Sequence, residues 1–385
     1  MPKVRNSLRS LIVPLTMAAA LQTHCIAAEN TVAQQQNASA NTSADAVGSD
    51  EVGNIVEYTP ARQPRWYFRS EGLALKRYTP DKQQFAGRWT PPVVTPDGTT
   101  PGFYEFMLGT NDLEFEFQGG YRLAVGRKLG DWTSVEFTYF DVGDWFETAA
   151  VRNVEQNTEG TPGNLMSPFT DFGNPPVSGV DYNNFINIES SSTLDNMELN
   201  FWREHPMPPD SMGVSYMIGL RYASILEQFQ YYSESAEPTP LGAANTVNTR
   251  ARNKLLGVQL GALFEFPVDP GWWIDWELKG AICDNRASQH TEYVNVTQGN
   301  PTSSLTSRAE GRTTFIGETS VRVVYECSHW LMAYAGYQAI WVDGLALASE
   351  NVSNDLNILS AGPGQLDHDG NLVYHGPHVG MTLIW

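Results

Sequence analysis

Long stretches of strict two-residue alternation limit what this chain can fold into more than any other feature. Leu113, Phe115 and Phe117 alternate with Glu114, Glu116 and Gln118, and Tyr121, Leu123 and Val125 keep that register. The same pattern runs through Val135–Tyr139, Met197–Phe201, Val214–Tyr222, Leu256–Phe266, Trp272–Leu278 and Val321–Tyr325. A period of two sends successive side chains to opposite faces, so each stretch predicts a strand with one apolar and one wet face. With Arg65–Tyr78, Trp330–Gly344 and Leu372–Trp385, the count is about ten strands, with a range of about 8–12, each about 11–18 residues long. Globular strands usually have about five or six residues, whereas a tilted transmembrane strand needs about 9–11 in hydrocarbon.

A soluble lipocalin-like barrel shares this period with its apolar face turned inward. The connections separate the two folds. In order they run to about 34, 5, 45, 8, 21, 5, 25, 3 and 26 residues. Short and long alternate without a break, as in outer-membrane barrels with short periplasmic turns, long external loops and periplasmic termini. The short ones are Arg127–Asp131, His205–Ser211, Pro267–Gly271 and Cys327–His329. The fold class expected is therefore all-β: a closed antiparallel transmembrane β-barrel spanning 65–385.

Export agrees with this. Lys3, Arg5 and Arg9 precede the apolar run Leu11–Leu21, and Ile26-Ala27-Ala28 supplies small residues for cleavage after Ala28. Residues 1–28 thus have the form of a signal peptide. Residues 29–64 lack either periodicity and are rich in Gln, Asn, Ser and Ala, which predicts a disordered linker. A formal net charge of −19 excludes nucleic acid as the main partner, because phosphate binding needs a basic face.

Trp66, Trp132, Trp202, Trp272, Trp273, Trp330 and Trp385 fall at the proposed periplasmic ends of strands, where indole favours the headgroup interface. Tyr78, Trp145, Tyr231, Tyr232, Trp341 and Tyr374 are candidates for the outer girdle. Val379, Met381, Leu383 and Trp385 form an amphipathic strand ending in an aromatic residue, which reads as the signal taken up by the barrel assembly machinery. Outer-membrane lipids and that machinery are the expected partners; no cofactor is expected, and oligomeric state is not encoded legibly.

Phe117-Gln118-Gly119-Gly120-Tyr121-Arg122-Leu123-Ala124-Val125-Gly126, followed by Asp131-Trp132 and Glu136-Phe137-Thr138-Tyr139-Phe140, resembles the beta-barrel porin family seven of planctomycete outer membranes. So do Gly336–Ala348 and Tyr374–Gly380. The resemblance covers most of the chain from Arg65. It implies an outer-membrane barrel with a porin role. Its motifs consist of glycine, aromatic and strand residues, and they name no solute.

Signals for chemistry are sparse. The histidines show no HExxH or paired spacing, so no zinc site is expected. Asp367-His368-Asp369-Gly370-Asn371 gathers oxygen ligands but lacks the EF-hand spacing, and a solvated turn is the favoured reading. An outer-membrane hydrolase is the remote alternative, with Asp367, His368 and Asp369 as its only rim candidates. The chain is otherwise not expected to be an enzyme.

By register, the inward face carries Glu71, Glu114, Glu116, Glu136, Glu198, Glu265, Asp275, Glu277, Glu318 and Glu326, with Arg69, Arg122, Arg221, Lys279 and Arg322 among them. Two functions compete. An acid surplus suits a narrow porin passing small cations. Mixed charge in a ten-strand barrel suits ion-pair filling, hence a plugged barrel acting as an envelope scaffold or as a surface adhesin through its long loops. Cys283 and Cys327 are expected to be free thiols near the apolar face, about a dozen strand residues apart and far beyond the ~7 Å a disulfide allows.

Overall fold

The computed structural model describes residues 66–79, 82–90, 93–95, 98–100, 103–153, 163–205, 211–235, 237, 242–361 and 366–385. The expected signal segment (1–28, cleaved after Ala28) and linker (29–64) lie outside them. Each alternating stretch forms a strand: β1 (Trp66–Tyr78), β2 (Gln118–Gly130), β3 (Thr133–Arg152), β4 (Asn183–His205), β5 (Gly213–Ser235), β6 (Ala243–Asp269), β7 (Trp272–Thr297), β8 (Asn300–Ser328), β9 (Leu331–Leu345) and β10 (Gly370–Ile384). Every ring strand pairs antiparallel with its neighbours in sequence, and β10 pairs with β1, so the ring of ten closes. At the seam, Trp66 and Trp385 exchange reciprocal backbone hydrogen bonds of 2.9 Å. Val379, Met381 and Leu383 are half-buried on β10, opposite Gly72, Ser70 and Phe68 of β1. A closed ring has no edge to fray. We expect unboiled protein to migrate differently from boiled protein on a detergent gel; identical migration would contradict closure.

The expected short turns are present, as Asp131-Trp132, 206–212, Pro270-Gly271 and His329-Trp330. The opposite end departs from expectation. The 25-residue connection expected between β7 and β8 is a two-residue hairpin, Gln298-Gly299, with positive φ at both positions (52° and 79°). That conformation suits a primed turn, whose twist matches the strands it joins. The connection from β5 to β6 shrinks to 236–242, and β4–β8 reach 23 to 29 residues instead of 11–18. Through Thr291–Ser307 the strands are built from Thr, Ser, Asn and Val, wet on the outer face. Hydrophobic alternation fades there while backbone pairing continues.

The outer surface is apolar only in a band. On β7 it runs from Trp272 to Ile282, about 34 Å along the strand, or about 26 Å in height at the usual tilt. A transmembrane barrel presents a band of about 25 Å. Above it, β7 continues from 283 to 297 for about 50 Å of strand. Trp66, Trp132, Trp272, Trp330 and Trp385 are exposed at the turn-side edge, as are Tyr78 and Trp341 towards the other. Trp145, Trp202, Tyr231 and Tyr374 are not girdle residues; they are buried on the inward side of the barrel wall. Tyr231 and Tyr374 stand at inward positions of their own registers. Trp145 turns inward through a register shift between Val142 and Trp145.

The interior of the loop-side half is an apolar core. The described parts of connections 79–117, 153–182 and 346–369 enter the barrel mouth and meet one another. The strand Gln84–Thr90 pairs with Phe103–Gly109 and with Leu165–Met166, and Leu165 pairs with Asn183 of β4. Thr170 bridges to Asp355, just before helix α1 (Leu356–Ala361). Phe85, Leu165, Phe169, Ala346, Leu347 and Leu359 from these connections pack against Leu75, Phe140, Ile186, Phe229, Val247 and Leu345 of the wall.

Candidate functional site

The lumen has two layers. In the turn-side layer, inward residues of opposite walls form one ionic network. Glu318 of β8 accepts from Arg122 of β2 at 3.0 Å and pairs with Arg221 of β5 at 2.9 Å, although neither strand neighbours β8. Arg122 also reaches Glu71 of β1 at 3.3 Å. Lys279 of β7 joins Glu277 at 2.9 Å and Glu198 of β4 at 3.3 Å. Arg322 bonds to Asp275 at 2.8 Å and Glu277 at 3.3 Å. Arg69 pairs with Glu136, which also accepts from the Tyr67 hydroxyl at 2.9 Å. Glu198 is the densest node, accepting from Asn196, Asn200 and Gln259, each at 3.0 Å. Charges this buried persist only when paired and hydrogen-bonded. Contacts across the ring show that side chains fill the lumen here.

The same layer aligns Ser320, His378 and Glu71: Ser320 Oγ lies 3.1 Å from His378 Nε2, and His378 Nδ1 3.6 Å from Glu71. Hydroxyl, imidazole and carboxylate suggest a nucleophilic relay. All three are buried, and Glu71 also accepts from Tyr334 at 2.9 Å while Arg122 pairs with it. The group is part of the filling, not an open site.

The loop-side layer is the apolar core. Phe85 and Phe229 rings stand 4.5 Å apart, Phe169 and Tyr231 4.9 Å, and Trp145 and Tyr374 5.2 Å. Trp145 Nε1 donates to the Leu75 carbonyl at 3.0 Å, satisfying its one polar atom. Wall side chains hold the descending segments by their backbone. Asn253 both accepts from Ala346 N at 2.9 Å and donates to Ala346 O at 2.8 Å. Gly344, at φ +86°, turns β9 into the lumen, and a Cβ there would meet Thr313 O and Thr314 Oγ1 at 3.3 Å. Any side chain would also be strained in that conformation. The buried pair Arg77–Glu227 ties β1 to β5, and Ala348 N donates to Glu227 at 3.2 Å. Asp181 organises the 163–182 connection, accepting from Ser167 N, Thr170 Oγ1 and Val177 N at 2.8–2.9 Å. Burial pushes its carboxyl up, against the pull of those donors.

Of the expected lumen residues, Arg122, Glu136, Glu198, Arg221, Asp275, Glu277, Lys279, Glu318 and Arg322 do lie in the network. Glu265 is half-buried opposite Asp275 near the turn-side mouth. Glu114 and Glu116 are corrected: both are exposed, and Leu113 and Phe115 point inward instead. Those residues precede β2, so the register of Tyr121, Leu123 and Val125 does not extend back to them. Glu326 is exposed as well. The internal acids of this layer are then Glu71, Glu136, Glu198, Asp275, Glu277 and Glu318, against Arg69, Arg122, Arg221, Lys279 and Arg322. With Glu265 at the mouth the count is seven acids against five cations, so the surplus expected from sequence shrinks from five to two.

At the rim, Arg312 bonds to His368 Nδ1 at 2.9 Å and to its carbonyl at 3.0 Å, and pairs with Asp369. Asp367 accepts from Asp369 N at 3.0 Å. This is a braced turn, and no metal-binding cluster of three or more ligands occurs among the described residues. Cys283 and Cys327 form no disulfide, and Cys283 pairs in register with Thr314, thirteen residues from Cys327. Cys283 faces inward into the core, not towards the apolar outer face. Arg77, Glu227, Asn253 and Asp181 were not singled out from sequence. Inward register marked the first three; Asp181 lies in a connection without periodicity.

The chain is similar to several solved outer-membrane barrels. It has 9% identity to the outer membrane protease OmpT of Escherichia coli over 84% of this chain and 98% of that one, at a TM-score of 0.41. Against a major outer membrane protein of Thermus thermophilus it has 10% identity over 83% and 99%, at 0.29. Against the translocator domain of the autotransporter NalP of Neisseria meningitidis the values are 10%, 83%, 88% and 0.30. No curated protein matches. The family model described as "Putative beta barrel porin-7 (BBP7)" matches residues 87–385, which hold nine of the ten ring strands, and the chain belongs to that family of outer-membrane β-barrels.

Proposed function

We propose that this family member is a plugged barrel, a membrane-embedded scaffold that presents its extended strand end and folded connections at the cell surface. The observation that carries this is the filled lumen: an apolar core of connection side chains above an ionic network that joins opposite walls. Six of the seven inward acids of the ionic layer are paired with cations, which leaves little free charge in the lumen to select cations. Short turns and the β1–β10 seam share one end, which in outer-membrane barrels is periplasmic. The other end, where β4–β8 outrun the apolar band, then faces outward as a rigid wall suited to contact. Membrane lipids cover the band, and the barrel assembly machinery inserts it. Planar-bilayer recording of the refolded full chain tests the reading. The expected trace is silent apart from baseline noise. A steady ohmic conductance of porin size would overturn the plugged reading in favour of a pore.

A further inference from the structure

In a chain of net charge −19, the outward face carries a local concentration of cations. Arg250, Arg252 and Lys254 occupy successive outward positions of β6 and are all exposed. Lys254 stands directly opposite Arg286 of β7. Like charges facing one another across strands repel, and such a pair is tolerated best beside an anion. Arg286 has Asp284 3.8 Å away, both largely exposed; Arg250, Arg252 and Lys254 form no ion pair with any described residue. Lys254 and Arg286 have small neighbours in register, Ser224 and Gly311; Arg252 lies between Leu226 and Ser288, and Arg250 between Gln228 and His290.

The position of the stripe is as informative as its charge. The next outward residues on β6 are Leu256, Val258 and Leu260, 60–65% exposed, and on β7 the apolar run ends at Ile282, 62% exposed. Lys254 and Arg286 therefore begin one or two outward positions beyond the edge of the apolar band. That is the depth of lipid phosphate groups, where each Lys or Arg gains from anionic headgroups. One strand beyond Ser224 in the same register row, Asp195 of β4 faces Asp141 of β3, so an acidic pair borders the basic stripe on that side.

We propose that Arg250, Arg252, Lys254 and Arg286 form a binding site for phosphate-bearing anionic lipid headgroups of the leaflet at the loop-bearing end. The acyl chains of the bound lipid lie against Leu256, Val258 and Ile282. The proposal rests on the membrane-barrel reading. It is independent of whether the lumen conducts.

The test uses the full chain in phosphatidylcholine bilayers doped with spin-labelled phosphatidate or, in a parallel sample, spin-labelled phosphatidylcholine. The fraction of motionally restricted label measures contact with the barrel. Wild type should restrict phosphatidate about fivefold more strongly, and salt should weaken the preference. The variant R250Q/R252Q/K254Q/R286Q should restrict both labels equally, whereas R250K/R252K/R286K should keep the preference. Equal restriction of both labels by wild type would overturn the site, as would an unchanged preference in the glutamine variant. If neither label is restricted and no heat-shifted form exists, the membrane reading itself fails, which is a separate outcome.

Discussion

Glu198→Ala is expected to be the most damaging single substitution inside the barrel. The side chain is buried and takes Lys279 at 3.3 Å, Arg221 at 3.7 Å and three amide donors at 3.0 Å. Its removal leaves two cations short of a counter-charge in a site that water does not readily reach. Removing one partner of a buried pair costs about 3–5 kcal/mol. Here the loss extends over several donors. The measurement is the urea midpoint at which the heat-shifted band disappears. It should fall sharply in Glu198→Ala and less in Glu198→Gln, which keeps the shape and one acceptor. An unchanged midpoint in the alanine variant would show that Lys279 and Arg221 are solvated, and the filled lumen would be refuted with it.

Glu227→Ala should act on the other layer. Glu227 neutralises Arg77 inside the plug and accepts the Ala348 N–H, so its loss strands a buried guanidinium and a backbone donor together. A penalty of about 3–5 kcal/mol falls on the loop-side half, where the pair joins β1 to β5 and holds Ala348 of the 346–369 connection, and leaves the turn-side ionic layer intact. The expected result is protease cleavage within that connection while the heat-shifted band persists. Replacing both partners, as in R77M/E227L, should restore part of the protection, because a buried pair can often be exchanged for packed apolar groups. Protection equal to wild type in Glu227→Ala would mean that this pair does not hold the plug.

These two layers were unequally legible in the sequence. Strand number, the closed ring, the four short turns and most of the turn-side ionic residues follow from a period of two, since that period assigns each residue to one face. The same rule placed Tyr231 and Tyr374 inward, against their reading as girdle residues. It failed at Trp145, where a register shift reverses the facing of every residue beyond it. It also failed at Glu114 and Glu116, which lie outside any strand.

What the sequence determined by itself is the barrel: lipid rewards an apolar outer face, and that demand is written at every second residue of the band. What only the tertiary structure reveals is which side chains fill the lumen. Strands that continue beyond lipid no longer need an apolar outer face, so apolar and polar residues mix on both faces and the stretch resembles loop, as between Gln289 and Ser307. The plug is built from connections whose apolar residues, Phe85, Leu165, Phe169 and Leu347 among them, follow no period. Their partners lie on distant strands. Burial there depends on three separate connections meeting within one closed wall, a condition that no local stretch of sequence expresses.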